Sequence, residues 1–207
     1  MEGCVSVVDD DALVLRSLGR LLRSAGFTVR TYPSPQAFLA QDSDTAPGCV
    51  VLDLSMPGLS GLELQRALAA SPDPRPVVFI SGRGDVPSSV AAMKAGAVDF
   101  LVKPFDELLL LAAVQSAVEK DRAARSVRQE LSLIAGRVAA LTPREREVLA
   151  RVVDGKLNKQ IAAELGTAEK TVKVHRARMM RKMGVDSLAG LVRAWTVIRQ
   201  TGAAPQY

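Results

Sequence analysis

Three short, almost unbroken apolar runs, VSVV (5–8), CVVL (49–52) and VVFI (77–80), constrain this chain more than any other feature. Each is too short for a buried helix. A strand apolar at successive positions is covered on both faces, which is the condition of a strand inside a parallel sheet. Two further candidates, Thr28–Tyr32 and Ala97–Val102, complete a set of five with Cys4–Val8, Cys49–Leu52 and Val77–Ile80. Amphipathic stretches lie between them, near Leu13–Ala25, Pro35–Ala40, Leu62–Ala69, Pro87–Ala95 and from Asp106 onward, with Gly26, Gly48, Gly82 and Gly96 at the boundaries. Strand and helix in strict alternation predict an α/β fold, a five-stranded parallel sheet with helices on both faces.

The polar residues stand at one end of these strands. Asp9 and Asp10 follow the first, Asp53 ends the third, Ser81 follows the fourth and Lys103 the fifth. In an open sheet of order 2-1-3-4-5, the C-terminal ends of strands one and three meet at the crevice where strand order reverses. Asp9, Asp10 and Asp53 are therefore expected to converge. Clustered carboxylates repel unless a cation lies among them, and an all-oxygen donor set with few protein ligands favours Mg²⁺. A carboxylate set between a metal and the Lys103 ammonium can act as a nucleophile toward phosphorus, with Ser81 donating to a phosphoryl oxygen. Asp11 fits an ordinary helix cap equally well.

The charge is divided. Residues 1–120 hold 10 Lys and Arg against 14 Asp and Glu, a net −4, and residues 121–207 hold 17 against 8, a net +9. The acidic part suits a cation and the basic part a polyanion such as nucleic acid. Cys4 and Cys49 form no CxxC pair and read as reduced core thiols, as expected of a cytoplasmic protein. No apolar run reaches membrane-spanning length, and the N-terminus lacks the pattern of a signal peptide.

In the basic part, Thr142, Pro143 and Glu145 read as N-cap, first helical position and capping box, and Gly155 as the stop. Further helices run from about Asn158 to Leu165, Ala168 to Met183 and Ser187 to Arg199. The second and third, around Gly166, have helix-turn-helix spacing. The third buries Val172, Met179 and Met183 on one face and carries Lys170, Lys173, Val174, Ala177, Arg178 and Arg181 around the other. Lys173 and Val174 would reach base edges in a major groove, and Lys159, Thr171, Arg178 and Arg181 the phosphates. His175, the single histidine, reads as a packing residue.

Between the two parts, Val127, Leu131, Ile134, Val138 and Leu141 continue a seven-residue phase begun by Ala117 and Ala124. A two-stranded coiled coil and a single helix laying this stripe on one of its own domains both satisfy the pattern.

The motifs VVDDD, LDLSMPGLSG, ISG and FLVKPF, over residues 4–118, resemble the receiver domain of two-component response regulators. LTPREREVL, NKQIAAELG and TVKVHRARMMRKMGV resemble the LuxR/NarL-type DNA-binding domain, and the long linker is similar to that of the FixJ type. The resemblance implies Asp53 as the phosphoacceptor, Mg²⁺ held by Asp9, Asp10, Asp53 and the Ser55 carbonyl, and a cis Lys103–Pro104 bond. It implies a switch in which Ser81 closes on the phosphate and Phe100 follows inward, though Phe100 also reads as an ordinary core residue. The domains implied are a receiver over 1–120, a helical linker over 121–139 and a four-helix DNA-binding domain over 140–207. The last helix, with Leu188, Leu191, Val192 and Trp195, matches the family's dimer-forming helix, and Trp195 fits the domain core equally. The implied partners are a sensor histidine kinase, double-stranded promoter DNA, RNA polymerase and a second copy of the chain.

One departure from the family is Ala168 where it usually has Ser at the start of the recognition helix, which leaves Thr167 as the nearest replacement cap. Two other functions fit less well. A phosphoaspartate phosphatase needs a second acid two residues after the nucleophile, and Ser55 stands there. A ligand sensor needs an aromatic-lined cavity, and the chain has only 5 Phe, 1 Trp and 2 Tyr.

Overall fold

A computed structural model describes residues 3–41, 46–82 and 86–200. The chain divides into two compact units, Met1–Arg125 and Ser126–Tyr207.

The first unit has the strands β1 (Cys4–Val8), β2 (Thr28–Tyr32), β3 (Gly48–Asp53), β4 (Val77–Ser81) and β5 (Asp99–Val102), all parallel, in the order β2-β1-β3-β4-β5. Between them run the helices α1 (Ala12–Ser24), α2 (Pro35–Gln41), α3 (Gly61–Ala69) and α4 (Val86–Lys94). β1, β3 and β4 are buried at every position, as their apolar sequences demand. β2 departs from the all-apolar expectation. TVRTY is largely exposed because β2 is an edge strand; Tyr32 is buried and Val29 packs partly buried against the core. β5 begins two residues later than its apolar run, because the Ala97 N–H closes the end of α4 on the Ala92 carbonyl.

Side-chain alternation along the strands makes two apolar layers. Val5, Val7, Cys49, Val51, Val78 and Ile80 pack with α1 and with Leu110, Val114 and Ala117. Val8, Val50, Leu52, Val77 and Phe79 pack with Phe38, Leu64, Leu68 and Ala92 on the other face. Burial pushes the Cys49 thiol up to about 12, so it is held as an unreactive core group.

The helix that closes the first unit does not stop there. α5 runs from Glu107 to Ala139 as one helix. Within the first unit Asp121 is buried and accepts from the Gly48 N–H (2.8 Å) and from Arg125 Nε (2.7 Å), which ties this helix to the start of β3. In the second unit the end of α5 joins α6 (Pro143–Val153), α7 (Asn158–Glu164), α8 (Glu169–Met183) and α9 (Leu188–Gln200). Here the C-terminal part of the apolar stripe finds a partner within the chain, one of the two arrangements its pattern allowed. Ile134, Val138 and Leu141 are buried in one core with Val148, Leu149, Ile161, Val172, Met179 and Trp195, so the chain itself covers the last part of the stripe, while Ala124 and Val127 stay exposed. The helical core thus includes residues that precede position 140. No helix among the described residues is long and apolar enough to cross a membrane.

α6 starts on a complete capping box: Thr142 Oγ1 accepts from the Glu145 N–H and Glu145 Oε2 from the Thr142 N–H. Glu145 is also buried and accepts from Lys182 Nζ at 2.6 Å. Burial works to raise its pKa, but the Lys182 ammonium and the Thr142 donors outweigh it and hold the carboxyl below its ordinary value. A depressed carboxyl contributes stability above the unfolded-state pKa, near 4.5, and loses it as pH falls through the lower folded value. Trp195 is the single tryptophan and lies in this core, so its fluorescence follows this unit. Glu145→Gln is expected to cost about 1–3 kcal/mol at neutral pH in urea unfolding followed by Trp195. Its deficit relative to wild type should shrink as pH is lowered from about 5 to about 3. A deficit independent of pH would mean that the charge of Glu145 contributes nothing.

Candidate functional site

β1 and β3 are neighbours, and their register pairs Val8 with Leu52. The next residue on each strand is Asp9 and Asp53. Topology alone therefore sets these two carboxylates side by side, at the C-terminal edge, in a site where both are buried. Lys103, just past β5, reaches in from the far side of β4. Its Nζ lies 2.7 Å from Asp9 Oδ2 and 2.9 Å from Asp53 Oδ1. The other oxygens are held by backbone donors: Asp9 Oδ1 accepts from the Asp11 N–H (2.8 Å) and Asp53 Oδ2 from the Ser55 N–H (2.7 Å). Lys103–Pro104 is a cis bond.

The electrostatics are unbalanced. Two buried carboxylates face one ammonium. Desolvation is the largest influence on Asp9 and raises its pKa, despite the hydrogen bonds from Lys103 and from the Asp11 N–H that lower it. Burial also works against the charge of Lys103, but its bonds to Asp53 and Asp9 more than offset this and raise its pKa. The site therefore holds excess negative charge that its own lysine does not neutralise.

That excess is the observation against which a divalent cation is tested. Asp9 and Asp53 supply hard oxygen donors only, and each of the four oxygens named above carries one hydrogen bond where a carboxylate oxygen can accept two. The donor chemistry fits Mg²⁺. The expected convergence of three acids is a different matter. Among the described residues no group of three or more His, Cys, Asp or Glu side chains is placed to hold a metal. Asp10 is exposed, in the bend that follows β1, whereas Asp9 is buried. Asp11 caps α1 through the Leu13 N–H.

Ser81 ends β4, fully buried, one residue beyond Ile80, which is paired with Asp53. Phe100 is half-buried on β5 with its ring centroid 6.1 Å from that of Phe79. Gly61 opens α3 where a Cβ would come 2.5 Å from the Asp53 carbonyl, so only glycine lets this helix start so close to the site.

The second unit presents a separate surface. Val172, Met179 and Met183 of α8 are buried, and Thr171, Lys173, Val174, Ala177, Arg178 and Arg181 are exposed together on the opposite side, with Lys159 exposed on α7. Gly166, at φ 62°, makes the turn between α7 and α8, and Arg176 Nη1 ties α8 to Asn158 Oδ1 at 3.1 Å. His175 is half-buried. One acid intrudes on the basic face: Glu169 Oε1 lies 3.1 Å from Lys173 Nζ, an i,i+4 pair that the sequence spacing already contained.

Thr167 does not cap the recognition helix. Its N–H closes α7 on the Ala162 carbonyl, α8 begins at Glu169, and the N-cap Ala168 has no side-chain bond to offer. In α9, Leu191 and Trp195 are four residues apart and both are core residues, whereas Leu188 and Val192 are exposed. A dimer contact through α9 would therefore use the second pair and not the first.

Comparison with known proteins matches both units. Residues 5–115 match the response regulator receiver domain and residues 139–195 the luxR family of bacterial regulatory proteins. The response regulator protein TmoT of Ectopseudomonas mendocina is 44% identical over 93% of this chain and 87% of its own length. The transcriptional regulatory protein FixJ of Bradyrhizobium diazoefficiens is 45% identical over 93% and 94%. Among solved structures, the response regulator StyR is similar with a TM-score of 0.87 at 46% identity, over 95% of this chain and 99% of that one.

Lys103 is the only side chain shared by Asp9 and Asp53 in the hydrogen bonds described above. Lys103→Ala should lower the stability of the metal-free receiver unit by about 2–4 kcal/mol in urea denaturation. The same change should cost clearly less in an Asp9→Asn background, because one of the two charges left unpaired is then absent. Additive effects would mean that the three groups do not act as one cluster.

Proposed function

The chain belongs to the response regulators that join a receiver domain to a LuxR-type DNA-binding domain, and on that premise we propose that Asp53 accepts a phosphoryl group from a sensor histidine kinase and so controls promoter binding. The single observation that carries this reading is the buried Asp53 carboxylate bridged through Lys103 to Asp9. A carboxylate so placed is desolvated and fixed in direction, two of the conditions for nucleophilic attack.

In the transfer, an Asp53 oxygen forms a bond to phosphorus as the bond between phosphorus and the kinase imidazole breaks, and the imidazole keeps the electron pair. The Lys103 ammonium offsets charge on the incoming oxygens. The Ser55 N–H holds the carboxylate in one orientation. Ser81, at the adjacent strand end, donates its hydroxyl to a phosphoryl oxygen, and Phe100 shifts against Phe79 when Ser81 moves. Mg²⁺, held by Asp9, Asp53 and the Ser55 carbonyl with Asp10 at its rim, would supply the remaining positive charge. Beyond this transfer and the hydrolysis that releases inorganic phosphate and restores the Asp53 carboxylate, the chain carries out no separate enzymatic reaction.

Functionally, residues 1–120 form the receiver, 121–139 the linker and 140–207 the DNA-binding domain, with the end of the linker helix contributing core residues to the last. The groove-facing residues are Lys173, Val174 and Ala177. Lys159, Thr171, Arg178 and Arg181 contact phosphates. Lys173 must leave Glu169 to bind a base. Two copies occupy paired half-sites, with Leu188 and Val192 of α9 at the contact, and recruit RNA polymerase in the cytoplasm.

Incubation with a phosphohistidine donor and Mg²⁺ is expected to add one acid-stable, hydroxylamine-labile phosphoryl group at Asp53, read by mass spectrometry. Label that persists in Asp53→Ala would refute the assignment. At the other end, Lys173→Ala should weaken binding to a selected operator by about 1–3 kcal/mol and relax its sequence preference. Arg181→Ala should weaken all duplexes alike and reduce the salt slope by about one. An unchanged preference in Lys173→Ala would place the reading face elsewhere.

A further inference from the structure

We propose that Arg137, on the last turn of α5, is a positioning residue for DNA recognition: its guanidinium clamps the C-terminal end of the recognition helix α8. The proposal rests on the reading that α8 enters the groove. Arg137 lies ahead of residues 139–195, the part matched to the luxR family.

The last carbonyls of a helix lack intrahelical partners and carry the negative end of its dipole, so a cation placed there both bonds and neutralises. Arg137 Nη1 donates to the carbonyl of Met183, the final residue of α8, at 3.0 Å. The helix ends on Gly184 in the left-handed region (φ 63°, ψ 37°). A Cβ there would meet the Arg137 guanidinium at 3.0 Å, so the guanidinium lies directly against the bare glycine. A second strap comes from the same stretch of chain. Lys182 Nζ bonds the Ala140 carbonyl at 3.2 Å and buried Glu145 at 2.6 Å.

The other end of α8 explains why this clamp matters. Its N-cap is Ala168, which makes no side-chain bond to the first turn. A helix without an N-terminal side-chain cap is fixed mainly by its buried face and by whatever holds its far end. Arg176 ties α8 to Asn158 of α7, and Lys173 and Val174 depend on the axis of α8 for their reach into a groove. Arg137 holds the far end of that axis. Its own side chain is exposed, so removing it opens no core cavity.

A basic residue near DNA could also act by touching a phosphate, and the two roles separate experimentally. The full-length wild type is first used to select a duplex from a random pool. Affinity for that duplex and for a scrambled one is then measured over a range of salt for wild type, Arg137→Ala and Arg137→Lys, with melting followed by Trp195 fluorescence. Arg137→Ala should lose about ten-fold on the selected duplex and under about two-fold on the scrambled one. The salt slope should be unchanged, and Arg137→Lys, which keeps a cationic donor, should recover most of the loss. Equal loss on both duplexes with a shallower salt slope would make Arg137 a phosphate contact and overturn the proposal. Equal loss tracking a lower melting temperature, or no loss at all, would overturn it too. A wild type that enriches no duplex would fail the DNA-binding reading itself, before any variant is compared, and the clamp's role would fall with it.

Discussion

The ammonium of Lys103, set between the Asp9 and Asp53 carboxylates, is the interaction on which the first unit's design depends. Two acids cannot be buried side by side without compensation. Sheet order places them together, since β1 and β3 are adjacent and in register, and the chain must then bring a cation from β5, two strands away. One lysine cannot balance two carboxylates. Burial raises the pKa of the Asp9 carboxyl even with Lys103 bonded to it, because desolvation outweighs that bond. The resting site is thus built at some cost to stability, and any added positive charge relieves that cost.

Much of this was legible before coordinates. Short apolar runs with no polar alternation can be satisfied only inside a parallel sheet, and the same constraint puts every strand's C-terminal residue on one edge. Asp9, Asp53, Ser81 and Lys103 could be placed there from their positions relative to VSVV, CVVL, VVFI and FLV. The capping box of Thr142 and Glu145 was equally readable, because both partners lie within one turn. What local spacing determines, a sequence can display.

The remainder depends on which surfaces meet. Periodicity identified an apolar stripe through Ile134, Val138 and Leu141 but carries no label for the surface that covers it, and a partner chain and the chain's own core satisfy it alike. The same ambiguity applied to α9, where Leu191 and Trp195 turned inward while Leu188 and Val192 stayed in solvent. Asp10 is exposed while Asp9 is buried, because β1 has ended and Asp10 lies in a bend where strand alternation no longer fixes direction. The ion pair of Glu145 with Lys182, separated by 37 residues, had no local signal at all.

These long-range contacts also account for how the recognition helix is held. Ala168 removes the side chain that would ordinarily secure the first turn of α8, and Thr167, the obvious substitute, stands one residue before the N-cap with its N–H closing α7. A helix with a weak start can still be well placed if its end is fixed, because a rigid rod pinned at one end and packed along one side retains little freedom. Met183 and Lys182 provide that pinning through Arg137, Ala140 and Glu145. All three lie in the segment where α5 ends and α6 begins. The basic face thus has supports outside the helix-turn-helix in addition to the Arg176–Asn158 bond within it, and a comparison restricted to the α7–α8 motif would miss the former.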